Sequence, residues 1–209
     1  MTPDARPLLA LAPVIPVLTI KDAAMAVPLA RALVAGGLPV VEVTLRTPAA
    51  LDAIRAIARD VPDAVVGAGT ITRTGDIQAA TAAGSRFLVS PGTPPDLAEE
   101  LAGVPVPVLP GCATATEAMA LAARGFTALK FFPAEPSGGA AFLKSLSGPL
   151  PGLVFCPTGG IDVAKAPTYL ALANVGAVGG SWIVPDDALA SGDFARITAL
   201  ARAARALRP

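Results

Sequence analysis

Histidine is absent from this chain of 209 residues, and cysteine is rare, being found only at Cys112 and Cys156. Without histidine, Ser–His–Asp and Cys–His nucleophile systems are excluded, as are histidine-ligated zinc, haem and non-haem iron sites. Two cysteines are too few for a disulfide framework, so we expect a reduced, cytoplasmic protein. Any nucleophilic or acid–base chemistry must therefore come from lysine, carboxylates, tyrosine, hydroxyls or cysteine.

Charged residues are also scarce, since they make up 15% of the chain and balance to a formal net charge of zero. The basic residues are scattered singly, so neither nucleic acid nor a membrane surface is expected as a partner. Apolar runs are broken by proline, glycine or a charge before they reach the roughly 20 residues of a membrane-spanning helix. Asp4 and the prolines that follow it argue against a signal peptide.

Short β-branched runs alternate with helical patterns rich in alanine and leucine along the whole chain, without a linker. The runs are almost wholly apolar, as is typical of parallel strands that are covered on both faces. The predicted strands cover residues 14–20, 40–45, 65–70, 87–90, 106–109, 128–132, 153–157 and 175–179. The predicted helices cover residues 23–35, 49–60, 74–83, 95–101, 114–123, 139–146, 163–172 and 194–207. This series predicts an α/β fold, a single (β/α)8 TIM-barrel domain over residues 1–209, with residues 1–12 as a short N-terminal segment.

An open, doubly wound sheet is the structural alternative to a barrel. Its dinucleotide-binding form requires the pattern G-x-G-x-x-G after the first strand. This chain instead has Lys21-Asp22-Ala23-Ala24-Met25 at that point, so a dinucleotide site is not supported.

The second predicted strand carries polar residues at its carboxyl end, where barrels place their functional groups. Glu42, Thr44 and Arg46 alternate with apolar residues, so they share one face of the strand. A carboxylate within an apolar strand is costly to bury unless it is paired or functional. The pattern leaves two interpretations, a structural Glu42–Arg46 ion pair and a functional carboxylate beside an anion-binding arginine.

Lys130 is the only one of the four lysines that lies within a predicted strand. Lysine is rarely buried without a partner, and desolvation favours the neutral amine, which is a nucleophile. The alternative is a lysine that extends to the rim of the barrel and reaches solvent. Glu42 is a candidate partner across the barrel, and Phe132 shares the strand face of Lys130 and is placed to form a wall of the site.

Glycine pairs follow the seventh and eighth predicted strands, in Thr158-Gly159-Gly160 and Gly179-Gly180-Ser181. Barrels commonly bind phosphate at these two positions, because exposed N–H groups near a helix start favour an anion. Cys156 precedes the first pair and is interpreted as a packed core thiol, since no histidine or cation cluster is present to activate it. The combination indicates Schiff-base chemistry on a keto acid that carries a phosphate.

From Pro13 onward the chain resembles the 2-keto-3-deoxy-6-phosphogluconate (KDPG) aldolases, which often also cleave 4-hydroxy-2-oxoglutarate. The motifs that carry the resemblance are Val41-Glu42-Val43-Thr44-Leu45-Arg46, Val66-Gly67-Ala68-Gly69-Thr70, Lys130-Phe131-Phe132-Pro133-Ala134-Glu135, Phe155-Cys156-Pro157-Thr158-Gly159-Gly160-Ile161 and Gly179-Gly180-Ser181-Trp182.

The resemblance implies a homotrimer of class I aldolase barrels that cleaves KDPG reversibly to pyruvate and D-glyceraldehyde 3-phosphate, without a metal or an organic cofactor. It implies that Lys130 forms the Schiff base and that Glu42 is the general acid/base. The implied substrate contacts are Arg46 and Thr70 on the carboxylate side, Pro91 and Phe132 in the pyruvate pocket, and Thr158, Gly159, Gly160, Gly180 and Ser181 at the phosphate end.

Three alternatives remain open from the sequence. The loop from Pro110 to Glu117 looks more like the sister 2-keto-3-deoxy-6-phosphogalactonate aldolases, but those usually have an arginine in the first strand, which this chain lacks. A phosphosugar isomerase or epimerase would use the same glycine loops, yet such enzymes usually need a histidine or a metal. A binding or structural barrel would leave Lys130, Glu42 and Arg46 at one rim without an explanation.

Overall fold

The computed structural model describes residues 3–207. Within these residues the strands are β1 Val14–Leu18, β2 Val40–Thr44, β3 Val65–Gly69, β4 Leu88–Val89, β5 Val108–Leu109, β6 Gly111–Cys112, β7 Ala128–Phe131, β8 Val154–Pro157 and β9 Val178–Gly180. The helices are α1 Arg6–Ala10, α2 Ala26–Ala35, α3 Ala50–Asp60, α4 Thr74–Ala82, α5 Pro95–Ala102, α6 Ala115–Ala122, α7 Gly139–Leu146, α8 Ala166–Leu170, α9 Asp186–Ser191 and α10 Phe194–Arg205, and a 3₁₀ turn at Ala23–Met25 leads into α2.

All the strand pairs are parallel, which confirms the predicted α/β class with a parallel sheet. Six strands pair in the order β5-β4-β3-β2-β1-β9, and three pair in the order β6-β7-β8. Single bridges between Phe155 and Val175 and between Thr158 and Gly179 connect the end of the second sheet to the β9 end of the first. The sheet is therefore curled, with strands of the two groups facing a shared interior.

Proline separates β5 from β6, because Pro110 has no N–H to donate to the ladder. Its carbonyl oxygen still accepts a hydrogen bond of 2.9 Å from the N–H of Lys130. The carbonyl of Pro107 likewise accepts a bond of 3.0 Å from the N–H of Leu88. The fifth predicted strand, residues 106–109, is thus observed only as β5, which pairs with β4, while β6 follows Pro110 and pairs with β7.

The core has two layers, one on each face of the sheet. Val41 and Val43 pack in the larger layer, between the strands and the surrounding helices. Val40 lies on the opposite face of β2, in a smaller inner cluster that also contains Phe87 and Leu109. This alternation is the one predicted for β2, and it directs Glu42 to the interior.

Helix α1 lies within the segment that the sequence showed only as a short N-terminal stretch. Leu8 and Leu9 of α1 are buried, and both belong to the inner cluster, so the helix covers one end of the interior. Asp4 accepts a hydrogen bond of 3.1 Å from Thr127, which precedes β7. Helix α9 was also not predicted. Both helices are too short for a helical periodicity to be visible in the sequence.

The described helices are too short to span a bilayer. The longest, α10, has 12 residues, whereas a spanning helix needs roughly 20 apolar residues.

Candidate active site

Lys130 and Glu42 meet in the interior, although they lie on strands of different sheets. The Lys130 Nζ donates a hydrogen bond to the Glu42 Oε1 at 3.1 Å, and each residue is only 4% exposed. Lys130 therefore does not extend to solvent, and the structural Glu42–Arg46 ion pair considered from the sequence is not the pair that forms. The predicted partnership across the interior is the arrangement observed.

Gly69 explains why a carboxylate fits at this point of the sheet. Gly69 is the register neighbour of Thr44 on the adjacent strand, two residues beyond Glu42. A Cβ atom at Gly69 would lie 2.1 Å from Glu42 Oε1, which is far inside van der Waals contact. The small residue is required because the carboxylate occupies the space beside it.

Arg46 and Thr70 lie together at the carboxyl ends of β2 and β3. The Arg46 Nε donates a hydrogen bond of 3.1 Å to Thr70 Oγ1. Thr70 has a φ of 65°, a left-handed conformation that is uncommon outside glycine and often marks functional sites. This bond uses one of the five N–H donors of the guanidinium group, so the remaining donors can serve a carboxylate ligand.

A cavity of about 240 Å³ opens beside Lys130. Of the site residues predicted from the sequence, those that line it are Arg46, Lys130, Phe132, Thr158, Gly159, Gly160, Gly180 and Ser181. Glu42 and Thr70 contact lining residues directly, whereas Pro91 lies outside the lining, against the backbone of Gly111. The structure thus brings most of the predicted site into one place.

Three lining residues were not predicted from the sequence, namely Val17, Thr19 and Ile161, whereas Gly179 belongs to the glycine pair singled out at the eighth predicted strand. Val17 and Thr19 alternate at the end of β1, so the argument applied to Glu42 and Thr44 could have found them. Their apolar or small side chains gave no chemical signal, and only the position at a strand end pointed to them.

The two thiols are not competing nucleophiles. Burial raises the pKa of Cys156 to about 12, and burial together with Glu117 raises the pKa of Cys112 to about 12. Both thiols stay protonated near neutral pH, which confirms the interpretation of Cys156 as a packed core thiol. Cys156 is the register neighbour of Lys130 on β8, so the protonated thiol lies on the strand next to the lysine.

The lysine amine also faces an aromatic ring. Its Nζ lies 5.3 Å from the centroid of the Phe132 ring, within the range of a cation–π contact. The lysine and the carboxylate balance each other's charge, so the pair is compatible with burial.

The loop after β8 is shaped by its two glycines. Gly159 has a φ of 103° and Gly160 a φ of 78°, conformations that strain any residue with a side chain. A Cβ at Gly159 would lie 3.3 Å from the Phe132 ring, so the loop backbone packs directly against the pocket wall.

A parallel α/β fold with a buried lysine–carboxylate pair at its strand ends is the arrangement of a lysine-dependent aldolase. The family model for KDPG and KHG aldolases matches residues 6–200, and the chain belongs to this family.

Similar proteins are found over nearly the whole chain. The 2-dehydro-3-deoxy-phosphogluconate aldolase of Pseudoalteromonas atlantica is 51% identical over 192 residues, which are 92% of this chain and 89% of the relative. The structure of KDPG aldolase from Legionella pneumophila, with pyruvate captured as a covalent carbinolamine, has a TM-score of 0.95 at 43% identity, covering 97% and 98% of the two chains. The Zymomonas mobilis KDPG aldolase with 3-phosphoglycerate has a TM-score of 0.92 at 47% identity, covering 98% and 96%.

The fold is also similar to a native structure named KDPGal. Its TM-score is 0.83 at 26% identity, and the match covers 93% of each chain. This chain therefore lies nearer in sequence to the KDPG aldolases just described than to that protein.

Proposed function

We propose that this chain is a class I aldolase that reversibly cleaves KDPG to pyruvate and D-glyceraldehyde 3-phosphate. The observation that carries the proposal is the buried Lys130–Glu42 pair, which lies beside a cavity at the strand ends of a KDPG and KHG aldolase family member. The Legionella relative holds pyruvate as a covalent carbinolamine, which supports the same lysine chemistry here.

The first half of the proposed reaction makes an electron sink. Lys130 passes a proton to Glu42, and its neutral amine attacks the C2 carbonyl carbon of the substrate. Glu42 returns the proton to the carbonyl oxygen, which gives a carbinolamine. Loss of water from the carbinolamine leaves a cationic iminium. Glu42 lies within hydrogen-bonding distance of the amine, so it is placed for these proton transfers.

The second half breaks the carbon–carbon bond. Glu42 takes the proton of the C4 hydroxyl, and the electrons of the C3–C4 bond move to the iminium as D-glyceraldehyde 3-phosphate leaves. The resulting enamine is protonated at C3, and water then hydrolyses the iminium to pyruvate and free Lys130. The iminium accepts the electrons, so no metal or organic cofactor is needed.

The other site residues are proposed to hold the two ends of the substrate. Arg46 and Thr70 bind the C1 carboxylate, and a charge-assisted contact to the guanidinium fixes its orientation. Phe132 forms the wall of the pyruvate pocket, and Pro91, which packs against Gly111 outside the lining, helps to shape it. The phosphate end is bound by Thr158, Gly159, Gly160, Gly180 and Ser181.

Two related substrates are included in the proposal. 4-Hydroxy-2-oxoglutarate carries the same 2-keto acid end, and a solved structure that is 39% identical to this chain is named for both activities. The galactonate epimer of KDPG is the second candidate, favoured by the loop that contains Cys112. The higher identity to phosphogluconate aldolases makes the gluconate form the first choice.

We further propose a single-domain, closed (β/α)8 barrel that acts as a cytoplasmic homotrimer. Closure is supported by the pairing of β6 with β7 directly after Pro110 and by the Thr158–Gly179 bridge between β8 and β9. The trimer is proposed from the family resemblance, and the cytoplasmic location is proposed from the presence of only two cysteines.

Trapping with borohydride tests the lysine chemistry. Incubation with pyruvate and borohydride is expected to add one reduced pyruvyl group, located at Lys130 by peptide mass spectrometry. Lys130→Ala should prevent the addition and remove nearly all cleavage of KDPG, whereas Lys144→Ala, at an exposed lysine of α7, should change neither. An unmodified Lys130 in the active wild-type protein would exclude the Schiff-base mechanism.

A further inference from the structure

Glu135 ends the motif that begins at Lys130, and the reaction described above does not use it. It lies in the segment after β7 and does not line the cavity. A Cβ at Gly160 would lie 2.8 Å from the Glu135 Cγ, so the side chain packs directly against the glycine loop.

The Glu135 carboxylate joins two residues that follow the loop. Its Oε1 accepts a hydrogen bond from the hydroxyl of Tyr169, which is 1% exposed in the core and belongs to α8. Its Oε2 pairs with the Lys165 Nζ at 2.9 Å. The Lys165 Nζ in turn donates a hydrogen bond of 3.0 Å to the carbonyl of Gly160.

Three successive carbonyls of the loop are held by donors from this side. Ala134 N–H donates to Thr158 O at 2.8 Å, and Glu135 N–H donates to Gly159 O at 3.1 Å. Lys165 holds the third carbonyl, that of Gly160.

The hydrogen bonds that hold the carbonyl oxygens also set the direction of the N–H group in each of the same peptide units. In a trans peptide the N–H points away from the C=O. The N–H groups of Gly159, Gly160 and Ile161 are therefore directed away from Glu135 and Lys165. Gly159, Gly160 and Ile161 line the cavity, and successive backbone N–H groups of this kind bind anions.

The charges of the network are stable near neutral pH. Hydrogen bonds from Tyr169 and Lys165 hold the pKa of Glu135 below its usual value, and the bond to Glu135 raises the pKa of Lys165. The carboxylate and the ammonium group are thus both charged where the enzyme would work.

We propose that Glu135, Lys165 and Tyr169 form a positioning network that orients the Gly159–Gly160 loop toward the phosphate group of the substrate. The proposal rests on the proposed function, because it concerns the phosphate end of that substrate. None of the three residues contacts the reacting carbon atoms; they act through the loop backbone.

If the network acts at the phosphate end, disrupting it should weaken the binding only of a substrate that carries a phosphate. Glu135→Gln keeps the shape of the side chain but removes the charge that holds Lys165. The variant is expected to raise KM for KDPG about 3- to 5-fold, since the ion pair is charge-assisted but partly exposed to solvent. Tyr169→Phe removes a single hydroxyl and should act in the same direction with a smaller effect. For 2-keto-3-deoxygluconate, the same acid without its phosphate, both variants should keep the wild-type kcat/KM.

The closing experiment compares kcat and KM of each variant on the two substrates, with the rate of pyruvate trapping by borohydride as a measure of Lys130. Lys165→Met should resemble Glu135→Gln, Lys165→Arg should recover much of the affinity for KDPG, and Lys144→Met is the matched control. Thermal unfolding confirms that each variant is folded. Equal losses of kcat/KM on both substrates, or no loss on KDPG, would overturn the proposal that these residues position the loop. Failure of the wild-type protein to cleave KDPG or to trap pyruvate would instead overturn the proposed function.

Discussion

Lys130 and Glu42 contact each other across the interior although 88 positions separate them in the chain. A buried ion pair contributes little to stability, because the loss of hydration of both charges offsets their attraction. Well-packed apolar residues at the same place are often neutral or stabilising by comparison. The pair is therefore better explained by the chemistry of an amine and a carboxylate in contact than by a structural need.

Glu42→Gln tests the carboxylate separately from the lysine. Glutamine has nearly the same shape but cannot take up a proton, so kcat for KDPG cleavage is expected to fall by about 10²–10⁴-fold. Steady-state kinetics with coupled detection of pyruvate measures the change. Glu99→Gln, at an exposed glutamate of α5, is the matched control and should keep wild-type activity. Retention of full kcat by Glu42→Gln would remove Glu42 from the mechanism.

The two buried thiols are expected to react slowly with alkylating reagents in the folded protein. Burial raises the pKa of Cys112 and Cys156 to about 12 in the folded protein, compared with an ordinary value of 9.0. Alkylation by iodoacetamide at pH 8.5 should therefore be at least about 100-fold slower in the native protein than in urea, because the thiolate is the reactive form. Mass spectrometry of the alkylated protein over time measures both rates.

The raised pKa values of the two thiols also set the direction in which the free energy of unfolding changes with pH. Between pH 9.0 and about 12 the folded thiols keep protons that the unfolded thiols lose. Their contribution to the free energy of unfolding is thus complete below pH 9.0 and falls as the pH rises toward 12. Native alkylation as fast as that of the unfolded chain would show that the thiols are accessible.

At the scale of elements, the short strands and the first helix have separate roles. The strands present their carboxyl ends to the cavity, whereas α1 packs its leucines into the inner cluster formed by Val40, Phe87 and Leu109. A helix of five residues has little stability of its own, so its packing holds it in place. Helix α1 is consequently part of the core.

The substitution Leu9→Ala measures how much the packing of α1 contributes to stability. Leu9 is 1% exposed, and truncation of a buried leucine typically costs about 2–5 kcal/mol of unfolding free energy. Leu11, two residues later, is 47% exposed, so Leu11→Ala should change the free energy by less than about 0.5 kcal/mol. Equilibrium unfolding in urea compares the two variants. Equal effects would mean that α1 does not close the inner cluster in solution.

At the scale of the whole molecule, the curled parallel sheet brings β2 and β7 to opposite sides of one interior. This arrangement brings a carboxylate and a lysine from distant parts of the chain into hydrogen-bond contact. It also places the glycine loops after β8 and β9 side by side, as the Thr158–Gly179 bridge shows. The keto-acid end and the phosphate end of one substrate can therefore be bound in a single cavity.

The preference for one C4 epimer of the substrate can be tested on the whole enzyme. The chain is 51% identical to a phosphogluconate aldolase and 26% identical to the KDPGal structure, so KDPG should have the higher kcat/KM. Measuring kcat/KM for the gluconate and galactonate substrates under the same conditions tests this expectation. A preference for the galactonate form would assign the loop from Pro110 to Glu117 a larger part in specificity than β1.

Much of the fold followed from local patterns. Each predicted strand and helix overlaps an observed element, because apolar β-branched runs and alanine-rich periodicity report local burial. Helices α1 and α9 were not predicted, because they are shorter than the window in which a helical period can be recognised. Strand β6 was not predicted either, because its two residues are defined as a strand only by their pairing with β7, and pairing is not local.

The candidate site likewise has a part that could be predicted from the sequence and a part that could not. Lys130, Glu42 and the glycine pairs could be selected from the sequence, because a charge within an apolar strand or a glycine pair after one is visible locally. The network of Glu135, Lys165 and Tyr169 could not, since its members are ordinary surface or core residue types whose contacts arise only when α8 packs beside the glycine loop.

Residue types and their spacing were enough to assign the class of fold and the family and to exclude histidine chemistry. The pairing of Glu42 with Lys130 rather than Arg46, and the space that Gly69 leaves for the carboxylate, are visible only in the folded chain. Such pairing depends on distance in space. Curvature of the sheet sets that distance, and no local pattern in the chain records it.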